Sequence, residues 1–190
     1  MAQGMYDYIR ESWRNTDRNL MQERLIQWRA SKSIEKVDKP LRLDRARSLG
    51  YKAEKGFVVV RVRLKRGGRT RPKHVHGRKS TKQHVRKNLK MSYQWVSEIR
   101  ASRKYKNLEV LNSYYLGKDG KYYFFEVIMV DPQRPEIAND PVMRWITSGK
   151  NSKRAERGLT SAAKESRGLR SKSHNLKIRP SLRSWGRIGK

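Results

Sequence analysis

The chain has 190 residues, with 47 Lys and Arg against 17 Asp and Glu, a formal net charge of +30 and no cysteine. Its hydrophobic share, 35%, lies below the roughly 45–50% usual for a compact soluble domain, so part of the chain lacks the apolar side chains to bury itself. These figures exclude disulfides and thiolate-bound zinc, leave room for one modest core with extensions, and point to a polyanionic partner that relieves the self-repulsion.

An anionic membrane would be one such partner. No run approaches the roughly eighteen apolar residues that span a bilayer, however, and MAQGMYDYIRESW has no signal-peptide core. Nucleic acid is therefore the leading partner, with no membrane involved, and a cytoplasmic location is expected.

In chain order, residues 4–12 and 17–30 carry Tyr, Trp, Leu and Ile at helical spacings, with Asp17 placed to cap RNLMQERLIQWR. Residues 1–40 are expected to form an N-terminal helical extension. RLDRARSL (42–49) reads as a helix ending at Gly50. FVVVRVRLKR (57–66) alternates: Val58, Val60, Val62 and Leu64 on one side, Arg61, Arg63 and Lys65 on the other. That pattern predicts a sheet with an oily face and a cationic face. MSYQWVSEIRASRKYK (91–106) sets Met91, Trp95, Ile99 and Ser102 on one helical stripe, suited to covering the sheet. LEVLNSYYLGKDGKYYFFEVIMVDP (108–132) reads as a hairpin of strands 108–116 and 122–130 joined by Asp119-Gly120, a pair that tolerates positive φ, and stopped at Asp131-Pro132.

The order of elements makes an α+β fold, a small antiparallel sheet packed with helices, with long basic extended arms. Residues 41–66 and 91–149 are the expected core, and within it residues 107–140 hold only three basic residues against six acids. Residues 67–90 read as a basic loop arm. Residues 150–190, with thirteen basic residues against Glu156 and Glu165, read as a basic tail, within which Thr160–Ser166 has the make-up of a capped helical turn.

Between Arg61 and Lys90 there are thirteen Lys and Arg and no acid. In LKRGGRTRP, Gly67 and Gly68 free the backbone for a close approach while Arg66, Arg69 and Arg71 can fork onto phosphate oxygens. A solvated hairpin tip is the bland alternative; the density of cations favours RNA or DNA contact. Trp28 and Trp95 are expected in the core, and Trp185, in RSWGR, is a candidate for stacking on a base.

His74 and His76 share a His-x-His spacing, but no carboxylate or cysteine lies near them and the adjacent cations repel a divalent ion, so no metal is expected. GRKST (77–81) lacks the Gly-Lys-Ser order of a P-loop. Grouped carboxylates, a His–carboxylate pair and a cofactor loop are all missing at usable spacing, so no cofactor and no catalytic residue are assigned. A DNA-compacting protein and an RNA-modifying or RNA-cleaving enzyme are the other classes weighed, and neither has motif support.

LDRARSLGYKAEKGFVVVRVRLKRGGRTRP (43–72), LNSYYLGKDGKYYFFEVIMVDP (111–132), WITSGK (145–150) and RGLTSAAKESRGLR (157–170), with GMYDYIRESW near the start, resemble the signature blocks of a ribosomal family. It is the archaeal and eukaryotic large-subunit protein fifteen, or fifteen-e, family, distinct from the universal protein that shares the number. The resemblance implies an α+β core with arms in large-subunit rRNA of the 23S type and no enzymatic activity. It also implies neighbouring large-subunit proteins as partners, the kink-turn-binding protein among them, and no homo-oligomer. The absence of cysteine suits an archaeal member.

Carried over by position, the resemblance implies RNA contact at Arg45, Arg47 and Lys52, and along the strand and arm at Arg61, Arg63, Lys65, Arg66, Gly67, Gly68, Arg69, Arg71, Lys73, His74, His76, Arg78, Lys79, Lys82, Arg86 and Lys87. In the C-terminal stretch it implies contact at Arg154, Arg157, Arg167, Arg170, Lys172, Arg179, Arg183, Trp185 and Arg187.

Overall fold

A computed structural model describes residues 4–70, 77 and 86–170. Helices α1 (Met5–Arg14) and α2 (Arg18–Ala30) lead into strand β1 (Ile34–Val37), helix α3 (Leu43–Ser48) and strand β2 (Phe57–Lys65). Short strands β3 (Arg69–Thr70) and β4 (Arg86–Lys87) bracket the arm. Helix α4 (Tyr93–Lys104), strands β5 (Glu109–Lys118) and β6 (Tyr122–Val130), and short helices α5 (Pro135–Ala138) and α6 (Ser161–Ser166) follow. The fold is α+β, with one antiparallel four-stranded sheet in the order β1-β2-β6-β5.

Strand β6 lies inside the sheet and is buried on both faces, which explains its near-continuous apolar run YYFFEVIMV. Phe124, Ile128 and Val130 pack with Trp28, Leu111, Leu116, Ile137 and Ile146 on one face. Phe125, Val127 and Met129 pack with Val60, Val62, Leu64 and Ala101 on the other. Each fully buried large apolar side chain contributes roughly 1.5–3 kcal/mol.

The expected cationic face of the sheet is not open. Helix α2 lies over it, so Arg61 sits 5.5 Å over the Trp28 ring and pairs with Glu35 at 2.6 Å. Arg63 lies 4.9 Å over the Tyr122 ring and donates to the Arg29 carbonyl. The aliphatic stems and flat guanidinium faces let these arginines pack against aromatics, so an alternating pattern of Val and Arg does not require a solvated side.

Helix ends follow their local chemistry. Asp17 accepts from the Asn19 amide, Ser92 from the Trp95 amide and Thr160 from the Ala163 amide. After α3, Gly50 takes φ +98°, with Tyr51 N–H bonded to the Ala46 carbonyl and Gly50 N–H to that of Arg47.

The β5–β6 hairpin forms where expected, but by another turn. Neither Asp119 nor Gly120 has positive φ; the Asp119 carboxylate instead accepts from the amides of Lys121 and Tyr122 and closes the turn itself. The buried stripe of α4 is also shifted. Trp95, Ser97, Glu98, Ala101 and Ser102 are buried, while Met91 and Ile99 are only partly so. Glu98 lies within that buried stripe, and Ser113 on β5 and Thr160 both donate to its carboxylate.

Residues 150–170, read from composition as part of a tail, are packed against α4 and β5. Ala155, Ala162, Ala163 and Arg167 are buried, Trp95 donates to the Ala155 carbonyl, and the Ser92 amide donates to Ser166 at 3.0 Å. Small side chains and arginine stems do the packing here, and the segment lacks the large apolar residues that mark a core in sequence.

Candidate nucleic-acid interface

The arm leaves the sheet at the end of β2. Arg66 lies 5.1 Å over the Tyr123 ring and donates to the Asp119 carbonyl at 2.7 Å, which fixes the first cation of the arm on the hairpin turn. Gly67, at φ +102°, brings its amide and its carbonyl within 2.8 Å and 2.9 Å of the Tyr93 hydroxyl, a clamp at the base. Arg69 and Thr70 pair antiparallel with Arg86 and Lys87, so the arm begins and ends as a two-stranded ribbon. Lys65, Arg66, Gly67, Gly68 and Arg69 are exposed. Arg71, Lys73, His74, His76, Arg78, Lys79 and Lys82 lie outside the described residues.

Around α3, Arg45 and Arg47 are exposed while Lys52 pairs with Asp140. Arg47 lies 5.8 Å over the Tyr6 ring and donates to its hydroxyl. Arg45 lines a cleft of about 570 Å³ with Arg10, Arg14, Gln94 and Tyr115. Among the described residues no carboxylate comes within ion-pair distance of Arg14, Arg45, Lys65, Arg66 or Arg69. Clustered cations without acidic partners on a surface are the electrostatic footprint of a polyanion site.

The C-terminal candidates divide. Arg154 donates to the carbonyls of Val110 and Leu111 at 2.6 Å and 2.7 Å and lies 4.9 Å over the Trp145 ring, and burial lowers its pKa. Arg167 is buried and donates to the Gly158 carbonyl at 2.8 Å. These two, with Arg61 and Arg63, are engaged within the protein. Arg157 and Arg170 are exposed, each with one hydrogen-bonded guanidinium nitrogen, on the carbonyls of Lys150 and Ser152 and on Ser161 respectively. Lys172, Arg179, Arg183, Trp185 and Arg187 lie outside the described residues.

Two cations that the sequence reading passed over, Arg10 and Arg14, join Arg45 in the cleft. Their spacing of four along α1 puts them on one helix face, a signal visible in ESWRN and its preceding turn but shared by many solvated helices.

Two buried carboxylates stand apart from this surface. Burial lifts Glu98 to about 7, against the hydrogen bonds from Ser113 and Thr160 that lower it. Burial likewise raises Glu126, opposed by the Tyr114 hydroxyl and the Leu41 amide. Among the described residues no three His, Asp or Glu side chains gather as metal ligands would.

The chain matches the family described as Ribosomal L15 over residues 4–185. It is similar to the large ribosomal subunit protein eL15 of Methanocella arvoryzae, with 46% identity across 100% of both chains. It is also similar to the eL15 protein of Methanospirillum hungatei JF-1, with 46% identity across 97% of each. With a match over nearly its whole length and two relatives this similar, the chain belongs to the Ribosomal L15 family.

Proposed function

We propose that this protein is a structural constituent of the large ribosomal subunit, in the cytoplasm, that binds and braces rRNA with its basic arm and C-terminal stretch and catalyses no reaction. The observation that carries the reading is the run from Lys65 to Arg69, five exposed residues with three cations, clamped at Gly67 by Tyr93 and continuing into the acid-free arm. Both similar proteins are named as large-subunit ribosomal proteins, which supports the same assembly for this chain.

Arg and Lys on phosphates release condensed counterions, so each neutralised phosphate adds a slope of roughly 0.7–0.9 to the salt dependence of binding. A-form RNA is read chiefly by shape, phosphate and 2′-hydroxyl, and arm geometry rather than base readout then sets the placement. The neighbours are rRNA and other large-subunit proteins, the kink-turn-binding protein among them. Titration of the full chain against large-subunit rRNA fragments across a salt series tests this. Binding should weaken steeply and linearly on a log–log plot; tight binding that persists in molar salt would refute it.

A further inference from the structure

Strand β5 is an edge of the sheet, since the order ends there. An open edge invites another strand, but this one is blocked. Arg154 takes the carbonyls of Val110 and Leu111, and the Gln94 amide takes the Ser113 carbonyl at 2.9 Å and its hydroxyl at 3.0 Å. Backbone addition by a protein partner is thereby disfavoured, and what remains along the edge is side-chain chemistry.

That chemistry is cationic and aromatic. The cleft of about 570 Å³ touches Ser113, Tyr114 and Tyr115, with Arg10, Arg14 and Arg45 around it. A second cleft, of about 320 Å³, touches the preceding Leu111 and Asn112, with Arg154, Lys164 and Arg170 around it. Among the described residues, the acid lining these clefts is Asp44, and it is already paired with Arg42 at 3.3 Å. From Leu111 to Tyr115 the edge runs about 13 Å at the rise of a strand.

Each cleft carries one large ring that the fold leaves open: Tyr115 is 41% exposed and Trp145 40%. Tyr115 is held by Phe125 at 5.7 Å and Tyr123 at 6.4 Å between ring centroids, and Trp145 has the Arg154 guanidinium 4.9 Å from its centroid. A ring held by its neighbours but still open to solvent can stack on a base at little entropic cost. Only unpaired nucleotides present their base faces to such rings, while their phosphates remain available to the flanking arginines.

We propose that the β5 edge is a track for an unpaired stretch of RNA, with Arg14 and Arg45 on phosphates, Tyr115 stacking a base in the larger cleft and Trp145 stacking one in the smaller. This rests on the rRNA-binding reading above and adds to it a surface separate from the arm.

The test uses the full chain bound to large-subunit rRNA in which a fraction of uridines is replaced by 4-thiouridine. After irradiation and digestion, linked nucleotides should map to the peptides holding Tyr115 and Trp145 as well as to the arm. In parallel, the full chain and its Tyr115→Leu, Trp145→Leu and Arg14→Gln variants are titrated with a short single-stranded oligoribonucleotide carrying 2-aminopurine. Tyr115→Leu and Trp145→Leu should each weaken binding about fivefold or more with the salt slope unchanged, and reduce the quenching of the probe. Arg14→Gln should lower the slope by about 0.7, the single-strand value. Thermal unfolding of each variant within a few degrees of the parent would confirm that the loss is local. Cross-links confined to the arm, with binding by all three variants at parental strength, would overturn the track while leaving rRNA binding by the arm intact. Failure of the parent chain to bind rRNA at all would overturn both.

Discussion

The indole Nε1 of Trp95 donates to the Ala155 carbonyl at 2.7 Å, joining the buried face of α4 to a residue sixty positions further along the chain. Gly158 closes the same contact. It takes φ +72°, with Leu159 N–H on the Arg154 carbonyl and Gly158 N–H on that of Ala155, and a Cβ there would meet Arg167 Cδ at 3.0 Å and Trp95 Cζ2 at 3.2 Å. Gly158→Ala should therefore cost about 2–4 kcal/mol, from left-handed strain plus overpacking. Gly67→Ala, at φ +102° with nothing within 4 Å, should cost the strain alone, about 1–2 kcal/mol. Urea unfolding of the RNA-free protein compares them. Equal costs would mean that residues 150–170 do not pack in solution as they do here.

The second Arg-Gly-Leu repeats this geometry, with Gly168 at φ +73° and Leu169 N–H on the Lys164 carbonyl. The cap at Thr160 was legible in the sequence because it is local, a hydroxyl where an amide is orphaned. The hairpin, the four main helices and the end of β6 at Asp131-Pro132 were legible for the same reason. What escaped was long-range. Strand β1, only four residues with Lys36 exposed and the other three half-buried, has no periodicity to detect until Ile34 and Val37 pair with Val62 and Val59. The inward role of Arg61, Arg63 and Arg154 depends on aromatic faces and carbonyls distant in the chain, and that of Arg167 on the Gly158 carbonyl, so neither composition nor the family resemblance, which implies RNA contact at all four, marks it. Of the candidate interface, the exposed root of the arm was readable from composition; the clefts along β5 were not, since they assemble from α1, α3, α4, β5 and α6.

Stability should fall as pH rises through neutrality because of Glu98. Its folded pKa of about 7 lies above the ordinary carboxylate value of 4.5, chiefly through burial. The native state thus holds the proton more tightly than the unfolded chain. The favourable contribution is complete below about pH 4.5 and is lost as pH rises to 7 and beyond, amounting to about 3 kcal/mol. Glu98→Gln should flatten the unfolding free energy between about pH 4.5 and 7 relative to the parent, the window the two values bracket. An unchanged pH profile in the variant would show that Glu98 titrates normally. Glu126, raised in the same direction, remains in both proteins and cancels in the difference.

Tyr114 is buried beside Glu126 and donates to it, and its burial, followed by the proximity of that carboxylate, pushes the phenol pKa up. Tyr114→Phe keeps the ring in the cluster with Trp28 and Leu116 but removes a donor from a carboxylate that is 1% exposed. Leaving that oxygen short of a partner should cost about 1–3 kcal/mol, more at pH 8 than at pH 5, where the carboxyl is protonated more readily. Chemical denaturation at the two pH values checks both the size and the trend.

Arg61 and Arg69 stand eight residues apart with opposite commitments, and a paired substitution separates them. Arg61 is 20% exposed, over Trp28 and bonded to Glu35; Arg69 is exposed on the ribbon and has no acid partner among the described residues. Arg61→Met keeps the stem and removes the cation, so it should cost about 1–2 kcal/mol of stability and leave the salt slope of rRNA binding as in the parent. Arg69→Gln should leave stability within about 0.5 kcal/mol and lower the slope by about 0.7–0.9. Unfolding and salt-series titrations on the same two proteins give four numbers, and the expected pattern is crossed: one variant loses stability only, the other electrostatic affinity only. A slope loss in Arg61→Met as large as that in Arg69→Gln would mean that RNA draws the guanidinium of Arg61 off the Trp28 ring.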